Sequence, residues 1–558
     1  MGSEPRTDPI DARHLLNAMM ISDIPKISLS LPTRWPRAMR PGGIVGPTGG
    51  ALALLLAALV LRWPTFGDPM LGWDEEFYLF VGGRMLHGDI PYVDIWDRKP
   101  IGLFVIYAFF HLFGPWRVWA YQIGALLCVW LTAMLVTRMA RHVAPPAGAF
   151  IAGLLYIAWL NQAGGHGGQS SVFYTPLVAA AMACILDRLP RLGSDAALLR
   201  RTGVQAMGLL GMAIQIKYTV IGEGVFAGLL LLGQSGLGQS GRDVRTFLKN
   251  GSLWVFVALF PTLAVFGLYA LAGHGRAWWF ANIDSIFLRA APDPRRYVPE
   301  LAGTIVVLAP IFLALMLGWL SGAGAMKNPR DMAFLRRWTL AAFASFLLFK
   351  ARFVHYSLPL FAPLAVAAAP LWFRRSGRIA LLLLLGWAIL QGERTVWLHF
   401  GRVDDAALMN RIVETVSHPA GECVFVYQGP QAVYDRVPWC GLTTHPFMGH
   451  LSDIEEAHAT GIDVSSELRR ILAARPGYIL LMQHAPAGRI PESERIVHDA
   501  LGAGYVAVRY VPAARGLVIF ERRDLLSAGA SIPRGAMRPA ERGAALHENR
   551  SAQHDRTE

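Results

Sequence analysis

The amino-acid sequence predicts a polytopic α-helical membrane protein with a C-terminal soluble α/β domain. Of its 558 residues, 54% are hydrophobic and 16% are charged, whereas about a quarter of the residues in a soluble globular protein are charged. Long apolar runs recur as far as residue 391, and shorter alternating helix and strand patterns follow. The net charge is +13, and the arginines cluster between apolar runs, where they set membrane orientation. A nucleic-acid partner is therefore not expected.

The N-terminal part of the chain divides into a tail and a membrane domain. Residues 1–43 are polar, basic and rich in proline and glycine, which predicts a disordered cytoplasmic tail. A multi-span domain follows at residues 44–391, where about eleven apolar segments approach the roughly 20 residues that a membrane helix needs. These segments lie near residues 44–61, 116–137, 148–160, 172–186, 206–216, 220–232, 253–271, 301–320, 339–349, 358–372 and 379–390. Segment 101–113 is too short to span, so we interpret it as an interfacial or re-entrant helix.

Basic residues predict the orientation of these helices. Clusters lie within residues 188–201, 242–249, 327–337 and 374–378. All fall on the side of the N-terminal tail, which is the cytoplasmic side under the positive-inside rule. The first extracytoplasmic loop, residues 64–115, and the C-terminal domain then face the periplasm of a bacterial inner membrane. A few cations of the outer loop before residue 301 break the rule, which indicates an anionic ligand or lipid headgroup there. They are Arg276, Arg289, Arg295 and Arg296.

Residues 392–526 are predicted to form the periplasmic α/β domain. Alternation of apolar and polar residues predicts helices at 408–416, 465–474 and 493–501, and strands at 423–427, 478–482, 505–510 and 516–520. Cys423 and Cys440 are close enough in sequence to close a short loop, and a periplasmic location would permit a disulfide, although the sequence leaves the pairing open. The polar residues 527–558 predict a disordered tail.

Two stretches of the first loop carry an unusual density of charge. They read GWDEEFY at residues 72–78 and PYVDIWDRKP at residues 91–100, and together contain five carboxylates, an arginine and a lysine. Charge beside a bilayer is costly and is seldom kept there without a function. This loop resembles the first extracytoplasmic loop of the GT-C membrane glycosyltransferases. Within that superfamily it is most similar to bacterial relatives of the dolichyl-phosphate-mannose protein mannosyltransferases and of the lipid A aminoarabinose transferases, whose loops carry a PY-x-D-x-W-D-x-K-P run.

The resemblance implies a glycosyltransferase that moves a sugar from a polyprenyl-phosphate donor to a glycan, lipid or protein acceptor on the periplasmic face, with inversion. Asp74 lies where the family places its catalytic aspartate, so it is the candidate base. Glu75 is expected to support it, by binding a divalent metal or by sharing a proton. The alternative is that Asp74 caps the next helix. No cofactor is required by the sequence, and a divalent metal stays open.

Several cations are candidates for binding the donor phosphate. Arg98 and Lys99 are expected to meet it, with Asp94 and Asp97 orienting them through salt bridges. A structural ion-pair cluster is the alternative for these four residues. Lys217 stands within an apolar stretch, at a place where relatives often have a lysine, and its alternative is snorkelling to the interface.

Two further segments complete the predicted site. Arg352, His355 and Tyr356 resemble the arginine-plus-histidine-tyrosine motif that the family carries near its donor site. The loop 161–171 offers His166 and Gln169 where many relatives have an acidic residue, which argues against a second carboxylate from this loop and gives poor metal-ligand spacing. Tyr78 and these two side chains are expected to support the acceptor, and the segment after the first predicted strand, 428–444, to help recognise it.

Two other functions are compatible with the sequence. A flippase or transporter would also need several spans and outer-face cations, but alternating access requires a site reached from both sides, and the carboxylates cluster on one side. An oligosaccharide polymerase or ligase would use a lipid diphosphate donor. The product distinguishes these functions: monosaccharide transfer, polymer growth or relocation of intact donor.

Overall fold

The computed structural model describes residues 47–235, 244–320, 327–348, 353–399, 405–417, 421–512 and 516–526. The predicted tails and Arg352 lie outside these residues. The chain divides into a unit of residues 1–49 and a unit of residues 50–558. Apart from the helical residues 47–49, the features below belong to the second unit.

Helices make up most of the described chain. They are α1 Pro47–Arg62, α2 Trp73–Leu86, α3 Ile101–His111, α4 Arg117–Ala140, α5 Pro146–Leu160, α6 Ser170–Leu192, α7 Ala196–Ile214, α8 Ile221–Gln234, α9 Val244–Leu271, α10 Gly275–Trp279, α11 Ser285–Phe287, α12 Pro294–Leu320, α13 Pro329–Leu348, α14 Phe361–Ala368, α15 Arg375–His399, α16 Asp405–Val416, α17 Met448–Ser452, α18 Val464–Ala473 and α19 Pro491–Gly504. The π-helical turn Phe280–Asp284 joins α10 to α11.

Among the described residues, 7 helical segments are long and apolar enough to cross a membrane. They are Thr48–Thr65, Gly114–Ala140, Ser170–Leu192, Val244–Leu271, Pro294–Leu320, Val354–Phe373 and Arg375–Leu398. Each coincides with a predicted span. Helices α5, α7, α8 and α13 form where the other four spans were predicted but do not meet the same criterion, so the count of eleven stays a prediction. The predicted non-spanning segment forms the short helix α3.

Small residues bring the central helices close together. Helix α4 presents Ala125, Val129 and Ala133, all fully buried, along one face, because residues three or four apart share a helix face. Against this face packs Gly153 of α5, where a Cβ atom would collide with the side chain of Thr137 and would lie 3.1 Å from the carbonyl of Ala133. A larger side chain at residue 153 would therefore separate α4 from α5.

The C-terminal part contains a small mixed sheet and helices. Its strands are β1 Val424–Val426, β2 Tyr478–Met482, β3 Tyr505–Val511 and β4 Leu517–Arg522, in the order β1-β2-β4-β3. Strands β1 and β2 are parallel, whereas β4 pairs antiparallel with both β2 and β3. A disulfide joins Cys423 to Cys440, which answers the question that the sequence left open. The domain boundaries at residues 391 and 526 remain predictions.

The first loop and the C-terminal part are fastened to each other. The backbone N–H of Trp96 donates to the carbonyl of Thr444 at 2.7 Å, and the N–H of Ala432 donates to Oε2 of Glu76 at 3.0 Å. Asp435 accepts hydrogen bonds from Arg117 at 2.5 Å and pairs with His111 at 2.9 Å. The segment 428–444 therefore anchors the C-terminal part beside the charged loop, and the cavity described next lies between them.

Candidate active site

A cavity of about 850 Å³ holds most of the residues that the sequence singled out. Its walls come from the start of α2 and from residues within 97–100, 169–170, 216–219, 286–300, 353–356, 447–456 and 486–487. The lining side chains include Asp74, Lys99, Lys217, Arg289 and His355. Both charge signs therefore meet in one partly enclosed space.

Asp74 lies at the cavity wall, in the first turn of α2. Its carboxylate is 3.7 Å from Nζ of Lys99 and accepts a hydrogen bond from Nε2 of Gln169 at 3.3 Å. Burial alone would raise the pKa of Asp74, but the charges of Lys99 and Lys217 hold that pKa below its ordinary value. Asp74 is therefore an ionised carboxylate at neutral pH. The capping interpretation is wrong, because the N-cap residue is Gly72 and no side chain caps the helix.

Glu75 and Glu76 do not line the cavity. Successive side chains on a helix point in directions about 100° apart, so adjacent carboxylates can have different surroundings. Glu75 is buried behind Asp74 and accepts from Gln169 at 3.4 Å, and Glu76 bonds Ala432. Burial raises the pKa of each to about 8, with Asp74 adding to the effect on Glu75. Gln169 hydrogen-bonds both Asp74 and Glu75, and the expectation that Glu75 supports Asp74 stays a prediction.

Lys99 is held in place by several neighbours. Its ammonium lies 3.4 Å from Asp97, as the sequence predicted, and 5.3 Å from the centre of the Tyr78 ring. Its carbonyl accepts from the hydroxyl of Tyr92 at 2.7 Å. Tyr92 has a φ of 70°, which is uncommon for a residue other than glycine. Burial would lower the pKa of Lys99, but Asp97 and Asp74 together hold that pKa above its ordinary value. The ammonium is therefore charged at neutral pH.

Two predictions about the first loop need correction. Arg98 donates two hydrogen bonds to the carboxylate of Glu456, one of them at 2.8 Å, rather than pairing with Asp94 or Asp97. Asp94 is exposed and accepts from the N–H of Ile90 at 2.7 Å, so it stabilises a turn and does not orient the cations. Arg98 still lines the cavity, but its charge is balanced within the protein.

Lys217, His355 and Tyr356 form the opposite wall. The ammonium of Lys217 lies 4.8 Å from the centre of the Tyr356 ring, and the His355 ring packs edge-on against Tyr356 at 4.8 Å. Lys217 follows the end of α7 in an extended conformation, before a short 3-10 turn. Burial lowers the pKa of Lys217 to about 8, against the opposing effect of Asp74. Its positive charge is therefore sensitive to mildly alkaline pH.

The structure adds residues that the sequence did not place in the site. Arg289 forms ion pairs with Glu455 at 3.1 Å and Glu456 at 2.9 Å. Arg296 pairs with Asp453 at 3.2 Å. The two arginines had a signal in the sequence, because they break the positive-inside rule. Their acidic partners had none, since they lie about 160 residues further along the chain, on another part of the fold.

His450 also lines the cavity and has no sequence signal. It is 4% exposed and packs edge-on against the Trp96 ring at 4.7 Å. Burial lowers the pKa of His450 well below its ordinary value, so the ring is neutral. Its Nδ1 atom is buried and has no hydrogen-bond partner among the described residues.

His166 and Gln169 have different positions. Gln169 lines the cavity and reaches both Asp74 and Glu75. His166 is not a lining residue, and its carbonyl accepts from Thr65 at 3.4 Å. Within the described ranges, no group of three histidine, cysteine or acidic side chains is arranged to hold a metal ion. The predicted possibility of a divalent metal therefore finds no ligand cluster there.

Comparison with solved structures identifies the fold. ArnT from Cupriavidus metallidurans bound to undecaprenyl phosphate is similar over 85% of this chain and 98% of that chain, with 16% identity and a TM-score of 0.56. Its apo state gives the same coverage and identity, with a TM-score of 0.55. The Archaeoglobus fulgidus oligosaccharyltransferase tethered with an acceptor peptide gives 12% identity and a TM-score of 0.50, covering 83% of this chain and 72% of that chain.

These neighbours are GT-C superfamily enzymes. At such low identities the similarity establishes the fold, so the chain is a polytopic membrane protein with the GT-C fold. The fold that the resemblance of the first loop implied is thereby confirmed. No family model and no curated protein sequence gives a significant match.

Proposed function

We propose that this protein is an inner-membrane glycosyltransferase that moves a sugar from a polyprenyl-phosphate donor to an acceptor on the periplasmic face. One observation carries the proposal: the ionised carboxylate of Asp74 lies 3.7 Å from the ammonium of Lys99 in the wall of a cavity lined by further cations. A base beside cations is the arrangement that this reaction needs. The fold supports it, since ArnT, which shares this fold, has been crystallised with undecaprenyl phosphate.

The reaction is a single displacement at the anomeric carbon. The acceptor hydroxyl or amine loses its proton to the carboxylate of Asp74 while its oxygen or nitrogen bonds the anomeric carbon. The bond from that carbon to the phosphate oxygen breaks, and its electron pair leaves with polyprenyl phosphate. Attack from the face opposite the leaving group inverts the configuration. Asp74 suits this role because it is ionised at neutral pH and points into the cavity.

Departure of the leaving group adds one negative charge to the phosphate. Cations that interact more strongly with the departing phosphate than with the bound diester lower the barrier. We assign this role to Lys99 and Lys217. Lys99 is already oriented by Asp97 and Tyr78, so little reorganisation is needed when the charge develops. Arg98 has a positioning role instead, because Glu456 neutralises it.

The assay for this function is product analysis in proteoliposomes that contain the purified full-length protein and radiolabelled polyprenyl-phosphate sugars. Release of polyprenyl phosphate by the wild type, and its loss in Asp74→Asn, is the expected result. Asp94→Asn is the matched control, because Asp94 lies in the same loop but only stabilises an exposed turn. Label that crosses the bilayer still attached to its lipid, equally in all three proteins, would instead identify a flippase.

A further inference from the structure

A second cavity lies away from the candidate active site. It is a groove of about 530 Å³ between the ends of α6, α8 and the start of α13. Its walls are apolar and include Leu189, Phe226 and Phe334. Leu229, which also lines the groove, is 65% exposed. On a membrane helix this exposed apolar edge faces lipid, so the groove is open sideways to the bilayer.

The groove and the candidate active site lie at opposite ends of the same helices. Helix α6 begins with Ser170, which lines the active-site cavity, and reaches the groove at Leu189. The rise of about 1.5 Å per residue separates these residues by about 28 Å, close to the roughly 30 Å thickness of a hydrocarbon core. Helix α8 also connects the two sites. It begins just after Thr219, which lines the active-site cavity, and ends at Gln234, which lines the groove. The groove therefore belongs to the opposite membrane face.

Two arginines stand at the mouth of this apolar groove. Arg330 and Arg337 are seven residues apart on α13, so they lie on one face of the helix, about 10 Å apart along its axis. Both are exposed, and within the described part of the chain neither has an ion-pair partner. Arg330 donates only a long hydrogen bond, of 3.4 Å, to the carbonyl of Pro190. The pair is thus free to bind an oxyanion, for which arginine is well suited.

We propose that the groove binds an anionic phospholipid of the leaflet opposite the candidate active site. Its acyl chain lies along the apolar walls and its phosphate group between Arg330 and Arg337. Charge complementarity favours this occupant, because basic pockets between membrane helices attract anionic headgroups. The space is available, since a Cβ atom at Gly233 of the groove would meet no atom within 4 Å. The site does not depend on the proposed transferase reaction.

The experiment uses purified full-length protein and native mass spectrometry of bound lipid. The probes are phosphatidylglycerol, phosphatidylcholine with the same acyl chains, and undecaprenyl phosphate. One variant combines Arg330→Gln with Arg337→Gln, and its control, Arg200→Gln with Arg201→Gln, removes the same charge from exposed residues at the start of α7. A second variant fills the groove, Gly233→Phe, and its control is Gly224→Phe, at an equally open position of the same helix outside the groove.

The wild type is expected to retain phosphatidylglycerol in preference to phosphatidylcholine. At about 1 kcal/mol for each basic residue, losing both arginines weakens phosphatidylglycerol binding by about thirtyfold. Gly233→Phe is expected to weaken it by about tenfold or more, while both controls stay within about twofold of the wild type. Equal retention by the arginine variant and its control would overturn the proposal. So would equal retention of the two phospholipids, or displacement of phosphatidylglycerol by undecaprenyl phosphate at equal concentration.

Discussion

Lys217 is expected to set the upper pH limit of donor binding. Its burial lowers its pKa to about 8, so about nine-tenths of the molecules carry the ammonium charge at pH 7 and about one-tenth at pH 9. If the charged form binds the donor phosphate, kcat/KM for the donor falls about tenfold across this interval. The quantity to measure is kcat/KM, because it reports groups that titrate in the free enzyme. The donor itself does not titrate in this range, since it is a phosphodiester.

Glu75 titrates in the same interval and has to be separated from Lys217. Burial raises its pKa to about 8, so it gains a negative charge as Lys217 loses a positive one. Lys217→Arg keeps a cation that is charged at every accessible pH, so its profile is expected to stay flat to about pH 9. Glu75→Gln removes the second titration and is expected to keep the alkaline decline.

Initial rates at low donor concentration, measured in proteoliposomes from about pH 7 to pH 9, provide the test. An alkaline decline that persists unchanged in Lys217→Arg would refute the assignment of the phosphate to Lys217. A decline that disappears in Glu75→Gln would show that the buried carboxyl controls the pH dependence. Thermal unfolding of each variant at both pH limits controls for loss of folded protein.

Three further changes have definite expected outcomes. Asp74→Asn is expected to lower kcat by about 10²- to 10⁴-fold without raising the donor KM, because the nearby lysine loses a competing carboxylate; a parallel rise in KM would contradict this. Replacing Cys423 and Cys440 by alanine opens a loop with a sequence separation of 17. This change is expected to lower the free energy of unfolding by about 3 kcal/mol. An unchanged denaturation midpoint would argue against this expectation. The pKa of Glu76 is raised by burial from 4.5 to about 8, so the folded state keeps a proton that the unfolded state loses, and stability falls as pH rises through this window. Glu76→Gln is expected to remove its own share of this decline and to leave the share of Glu75, while keeping the bond to Ala432. Melting temperatures at both ends of the window check this.

The parts of the fold that follow from local sequence were predictable. Apolar runs gave the helices, and alternating patterns gave the strands of the C-terminal sheet, since both signals lie within a few neighbouring residues. The PYVDIWDRKP run likewise led to Lys99 and its partner Asp97. Neighbouring residues, however, do not share a direction in space. Asp74 therefore lines the cavity whereas the adjacent Glu75 does not, a difference that local sequence does not reveal.

The parts that depend on distant pairing were not predictable. Arg98 meets Glu456 across 358 positions of the chain, and no local pattern specifies such a partner. A carboxylate nearby in sequence is the natural expectation, which is why Asp94 and Asp97 were proposed in its place. The neutral His450 in the cavity wall was missed for the same reason, since its surroundings come from several separate segments.

The long separation between the two halves of the cavity also fixes when it can form during biosynthesis. Glu76 has its backbone partner 356 residues downstream, and Arg98 its carboxylate partner 358 residues downstream. The ribosome has therefore made the last membrane helix before either partner exists. Until then the first loop carries an unpaired guanidinium and an unpaired carboxyl group at the membrane surface. A chain that stops after α15 would contain the candidate membrane helices but would lack one wall of the cavity, so the site becomes complete only after residues 447–487 have been made.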